Sequence, residues 1–202
     1  VGASVAKDVP RKLKLADAAR LNRDVWIVIT LAMLMALARF SEAFLLLRAN
    51  QTGWSLAWLP LIIVLLHLVY GIVAYPAGRV FDRIGPRGLL FGGMACLIGA
   101  DLALAAASGP MLLLAGIVLW GVHMGLTQGV LSTLIAQTAP THLTGTAFGV
   151  LSVGTAIAVL VGNVLAGVLW ETAGATYTFV AGAALSLLAC IGVVILSSRL
   201  RS

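Results

Sequence analysis

The stretch GRVFDRIGPRG at residues 78–88 sets four charged side chains, Arg79, Asp82, Arg83 and Arg87, among spaced glycines in a chain that is only 10% charged. Long apolar runs flank it on both sides. Gly85 and Pro86 read as a tight turn, and Gly78 lets a neighbouring helix come close. Asp82 can accept hydrogen bonds from the free backbone N–H groups of a helix start. The stretch therefore reads as a polar hinge or latch between two apolar helices. Arg83 and Arg87 either anchor it at a membrane surface or pair with carboxylates.

Outward from this turn the composition is that of a bilayer protein. Hydrophobic residues make up 61% of the 202 positions and mean hydropathy is +1.07, against roughly 45–50% apolar residues in soluble domains. The runs are about twenty residues long, enough to cross ~30 Å of hydrocarbon. They are apolar on every side, which excludes the in-out alternation of a membrane barrel. Six helical spans are predicted, at about residues 25–47, 57–77, 88–107, 110–135, 144–169 and 174–197. Short turn signals join them, among them Gln51-Thr52-Gly53, Ser108-Gly109-Pro110 and Gly174. The expected organisation is a basic segment at residues 1–24, reading as a linker on the membrane surface, a six-helix bundle over 25–198, and a tail at 199–202.

Lys7, Arg11, Lys12, Lys14, Arg20 and Arg23 precede the first span, Arg79, Arg83 and Arg87 lie between the second and third, and Arg199 and Arg201 follow the last. Arg48 lies near the opposite face and Arg39 inside a span. Positive charge stays on the cytoplasmic side, so both termini and the 78–88 turn are expected there, in a multi-pass protein of the bacterial inner membrane. The net charge of +6 expresses this asymmetry and contact with lipid, not nucleic-acid binding. Cys96 and Cys190 stand alone in apolar spans and support neither a disulfide framework nor a metal site. The chain opens at Val1 with a charged stretch that does not read as a signal peptide, and a start without Met points to a piece of something longer.

Gly78, Asp82 and Gly85 have an echo in Gly167, Glu171 and Gly174, which repeat the spacing after the fifth span without the arginines. Loss of arginine fits a second copy on the outer face, so the bundle is expected to consist of two inverted three-helix repeats.

The pattern Gly78-x-x-x-Asp82-Arg83-x-Gly85-x-Arg87 resembles the cytoplasmic loop signature of the major facilitator superfamily, found between the second and third helices of each six-helix half. ARFSEAFLLLRA at residues 38–49 and VYGIVAYPAGRVFDRIGPRG at 69–88 are similar to the carboxy-terminal half of bacterial permeases of that superfamily. GTAFGVLSVGTAIA at residues 145–158 resembles its penultimate helix. Pro86 and Thr144 depart from the pattern, standing where relatives commonly carry basic residues. The resemblance implies a missing amino-terminal six-helix half, a substrate path between the halves, and transport by alternating access without a cofactor. It also implies that Gly78, Asp82, Arg83, Gly85 and Arg87 latch one access state against the other half.

A charge at mid-bilayer costs about 2.5–3.5 kcal/mol on insertion scales, so each one needs a reason. Arg39 and Glu42, at i and i+3, either neutralise each other on one helix face or line the path, one binding a charged substrate group or carrying a coupling proton. Asp101 is either a protonation site or a hydrogen-bonding group between helices; the resemblance puts its helix on the outside. In the fourth span Gly121, Gly125 and Gly129 form a small-residue face. Beside it Trp120, His123, Thr127 and Gln128 are expected to form a cavity wall, with Trp120 as a stacking surface and His123 as donor or titrating group; the alternative is a packing histidine. His67 with Tyr70, and Asn163, are further pathway candidates, while His142 reads as a solvated loop residue.

The chain contains no Gly-x-x-x-x-Gly-Lys-Ser/Thr phosphate loop and no His-Glu-x-x-His motif. Asp101 has no second deep aspartate for an aspartyl protease, and Ser152 lacks the preceding glycine of a nucleophile elbow. The expectation is therefore a transporter and not an enzyme: a proton-coupled secondary active permease for a small organic solute, working as an effluxing antiporter. An importer of sugars or organic acids, or a membrane scaffold without transport, stays open.

Overall fold

A computed structural model describes residues 15–199. Lys7, Arg11, Lys12, Lys14 and Arg201, and with them most of the expected linker and tail, lie outside the described residues. The helices are α1 (Arg23–Ala38), α2 (Ala43–Gln51), α3 (Leu59–Ala105), α4 (Pro110–Thr138), α5 (Thr144–Ala173) and α6 (Ala175–Arg199), and no strand occurs among the described residues.

Among the described residues five helical segments are long and apolar enough to cross a membrane, and one of them supplies two crossings. α3 has 47 residues; a straight helix of that length would run ~70 Å, over twice the hydrocarbon thickness. It is interrupted at Gly85, where φ is 72° and ψ 174°, a conformation reserved for glycine. Pro86 then starts the second arm, where its missing N–H costs nothing. α4 packs against both arms and reports their directions. A Cβ at Gly121 would lie 2.8 Å from the Leu66 carbonyl, and one at Gly125 2.7 Å from Val73 Cβ, so the first arm runs parallel to α4. Gly116 meets Leu104 while Gly93 meets Thr127, so the second arm runs antiparallel. The chain thus turns back on itself at Gly85 and the bundle has six crossings.

The expected loop is accordingly shorter than the sequence pattern suggested. The helix runs on through Gly78, Asp82 and Arg83, and the reversal is confined to Gly85. Asp82 lies within the first arm and not at the start of the second, which opens at Pro86.

Gly174, the counterpart of Gly85 in the sequence echo, has φ 91° and ψ 172° and joins α5 directly to α6. The same backbone device therefore stands at equivalent points of the two triplets. The first arm of α3 and α5 both begin at one end and finish at the other, in opposite senses relative to each other across the bundle. Asn22 Nδ2 donates to the Thr138 carbonyl at 3.1 Å, tying the start of α1 to the end of α4, from which α5 sets out. Gly85 and Gly174 consequently lie at opposite ends, as inverted repeats require.

The first predicted span is two helices. α1, capped by Asn22 Oδ1 accepting from the Val25 N–H at 3.0 Å, stops at Ala38, and Arg39 is extended with φ −92° and ψ 99°. α2 resumes at Ala43. Broken backbone inside a membrane survives only where neighbours satisfy its freed groups, and α5 does so here. Asn163 Oδ1 accepts from the Ser41 N–H at 2.7 Å, and Gly162 makes room for the Leu37 carbonyl, which would lie 2.7 Å from a Cβ there. Phe40 is buried beside Gly182 of α6. Arg39 and Glu42 therefore do not share a helix face, which corrects the expected i, i+3 pair.

Arg48 fastens the other end of α2. Its Nε donates to the Leu104 carbonyl at 2.9 Å and its Nη2 to the Ala105 and Ala107 carbonyls, each at 3.0 Å. Thr176 of α6 donates to the same Ala105 carbonyl at 3.2 Å. These bonds occupy the carbonyls left over at the end of α3.

Candidate functional site

Two adjacent cavities lie at the break between α1 and α2. The larger, about 460 Å³, lies between α1, α4 and α5 and is lined by Met35, Arg39, His123, Gln128, Leu151 and Thr155, among others. The smaller, about 230 Å³, is lined by Arg39, Phe40, Ser41, Glu42, Trp120, Val159 and Asn163. Arg39 and Val159 line both, so the two are adjacent.

Each polar side chain has its own anchor. His123, 2% exposed, sets Nδ1 2.9 Å from the Gly93 carbonyl. A carbonyl only accepts, so Nδ1 carries the proton and Nε2 is the acceptor of the neutral ring. Gly93 is glycine because Thr127 fills the place of its side chain. The alternatives for His123 converge: it is both packed and cavity-lining. Glu42 Oε1 lies 4.0 Å from His67 Nε2, and the His67 ring meets Tyr70 edge-on at 6.4 Å between centroids. Arg39 makes no hydrogen bond or ion pair within 4.0 Å among the described residues, and feels Glu42 only through space. Trp120 is fully buried, and its Nε1–H has no acceptor among the described residues.

Six of the expected pathway residues, Arg39, Glu42, Trp120, His123, Gln128 and Asn163, therefore meet at one place, and His67 joins through Glu42. Asn163 does so in a different role from the one expected, since its oxygen is committed to the Ser41 backbone. Asp101 does not join them. It is 1% exposed in the seam between α3 and α6, where a Cβ at Gly182 would lie 2.9 Å from its Oδ2. Ser186 is its polar neighbour there, yet neither carboxyl oxygen nor the Ser186 hydroxyl has a well-formed hydrogen bond. The glycine ladder of α4 is used at Gly121 and Gly125 only; a Cβ at Gly129 would meet nothing within 4 Å. His142 is exposed in the turn before α5, as read from sequence.

At the Gly85 end, Asp82 and Arg83 are exposed and Arg87 is half-buried with its Nη2 unpartnered. Arg79 donates to the Tyr75 hydroxyl at 3.0 Å and lies over that ring at 5.1 Å from its centroid. Gly78 borders a separate cavity of about 290 Å³ with Tyr70, Phe81, Gly125 and Gly129.

Sequence reasoning missed Ser41, Val159 and Thr155 as lining residues, and Gly162 and Gly182 as the clearances that allow the break. The available signal was Gly162-Asn163, a space beside a polar group on an otherwise apolar helix.

The family model described as Major Facilitator Superfamily matches residues 26–201. The chain is also similar to an uncharacterized MFS-type transporter of Mycobacterium tuberculosis, 35% identical over 113 residues. That match covers 55% of this chain and 19% of the relative, so the chain spans a small part of the relative's length. With six crossings in two inverted triplets around a polar cavity, and a family match along almost its whole length, the chain belongs to the major facilitator superfamily.

Proposed function

We propose that this chain is the carboxy-terminal half of a secondary active transporter that carries a small organic solute across the bacterial inner membrane by alternating access. Membership in the superfamily supports transmembrane transport rather than enzymatic catalysis; direction, coupling and substrate are the proposal. The observation that carries it is the pair of adjacent cavities at the α1–α2 break, whose linings bring Arg39, Glu42, Trp120, His123 and Gln128 together inside an apolar bundle. Charged groups at that depth are costly unless they face a water-filled path or a ligand.

A companion amino-terminal six-helix bundle completes the path and rocks against this one. The Gly85 end, with the termini, faces the cytoplasm, and Asp82, Arg83 and Arg87 contact the companion in one access state and release it in the other. Glu42 with His67 offers a place for a coupling proton, and the direction is efflux in exchange for protons. One proton per solute and one pH unit of gradient then sustain about tenfold accumulation, since ~1.4 kcal/mol is a factor of ten.

The test is co-expression with the companion bundle, reconstitution in vesicles, and solute flux with and without a pH gradient. Flux that follows the gradient outward supports the reading. Inward flux favours an importer, and absence of flux for every solute favours a scaffold.

A further inference from the structure

Arg39 is the charged side chain that the two adjacent cavities share. Arg39 contributes a guanidinium with five N–H groups and no partner among the described residues within 4.0 Å. Trp120, wholly buried, contributes an Nε1–H with no acceptor among the described residues. Asn163 contributes an amide NH₂, because its oxygen must face the Ser41 N–H that donates to it at 2.7 Å. Acceptors are also present, with His123 Nε2 and the Gln128 side chain in the lining of the larger cavity and Glu42 in that of the smaller. Ser41 Oγ accepts from the Ala43 N–H at 3.3 Å, and Glu42 Oε1 faces His67 Nε2 at 4.0 Å. The larger cavity has no carboxylate in its lining.

A buried indole N–H without an acceptor, and a half-buried guanidinium without a hydrogen-bonding partner among the described residues, are costly unless a ligand supplies one. In the larger cavity, where the lining holds Arg39 and no carboxylate, an anionic group pairs with the guanidinium and a cationic one is repelled. The larger cavity continues from Arg39 between apolar walls that include Met35, Leu131, Leu151 and Val159. We infer that these adjacent cavities take an amphipathic organic anion, its carboxylate on Arg39 and the Trp120 N–H, and its apolar body between α1 and α5. This rests on the transport reading for its physiological meaning, while the binding chemistry is testable separately.

Three probes of one shape isolate the charge: 1-naphthoate, naphthalene-1-carboxamide and 1-naphthylmethylammonium. Equilibrium dialysis is performed on the protein with its companion bundle in lipid nanodiscs. The carboxylate should bind at least about tenfold more tightly than the carboxamide, as one charge-assisted pair allows, and the ammonium least. Arg39→Gln should abolish that preference while leaving carboxamide binding unchanged. Trp120→Phe, which keeps the ring and removes only the donor, should narrow it about threefold. This second variant decides the matter where the first does not fold.

Equal or tighter binding of the carboxamide or the ammonium overturns the inference. So does a carboxylate preference that survives Arg39→Gln, one that Trp120→Phe leaves at full size, or no binding of any probe. Vesicle flux separates the two readings: anion-selective binding without flux sinks transport alone, and flux without anion selectivity sinks the substrate class alone.

Discussion

The two arginines on the first membrane segment should respond in opposite ways to removal. Arg48 makes three charge-assisted bonds, at 2.9, 3.0 and 3.0 Å, to the carbonyls of Leu104, Ala105 and Ala107. Hydrogen bonds to charged groups contribute about 1.5–3 kcal/mol each, which sets a ceiling near 4.5–9 kcal/mol for the trio. Arg48 is only half-buried, so water replaces part of what is lost, and Arg48→Ala is expected to cost about 2–4 kcal/mol. Arg48→Lys should recover less than half, because an ammonium cannot reproduce the planar fork that reaches several carbonyls. Arg39 has no such bonds among the described residues, and Arg39→Gln removes an intramembrane charge; the variant should be at least as stable as the parent. Reversible unfolding in mixed micelles, followed by circular dichroism, measures both. Arg48→Ala within ~0.5 kcal/mol of the parent, the range of an ordinary surface change, would refute the reasoning, as would an equal loss for Arg39→Gln.

Matched alanine substitutions on α4 test how the helices meet. Gly121→Ala puts a methyl 2.8 Å from the Leu66 carbonyl and should cost about 1–3 kcal/mol by overpacking, whereas Gly129→Ala meets nothing and should be neutral in the same unfolding assay. Gly85→Ala and Gly174→Ala both force alanine into the extended positive-φ region, so each should lower stability by about 1–3 kcal/mol, measured as the unfolding midpoint. Asn163→Ala strands the Ser41 N–H and should speed hydrogen exchange across residues 39–44, while Asn163→Asp, which keeps the acceptor, should not. Unchanged exchange in Asn163→Ala would mean that α5 does not hold the break.

The number of crossings was legible because hydrocarbon about 30 Å thick imposes a run length that apolar residues display directly. The Gly85–Pro86 turn and its Gly174 echo were legible for a similar reason. Only glycine adopts their backbone angles, so the need shows as a residue type. The site residues were legible as a set, since polar side chains on apolar helices are few, but not in their pairings. Arg39-Phe40-Ser41-Glu42 contains neither glycine nor proline, and read locally it continues a helix.

What interrupts it comes from α5, 122 positions away: an acceptor for the Ser41 N–H in Asn163, beside the clearance at Gly162 for a carbonyl. Asp101 and Glu42 look alike on paper as lone carboxylates in spans, and only packing assigns one to a closed seam and the other to a cavity. Local chemistry therefore specified the span lengths, the turns and the inventory of polar groups, because each depends on residues adjacent in the chain. Which donor meets which acceptor, and which has none among the described residues, depends on helices far apart in sequence, and the assembled bundle alone decides that.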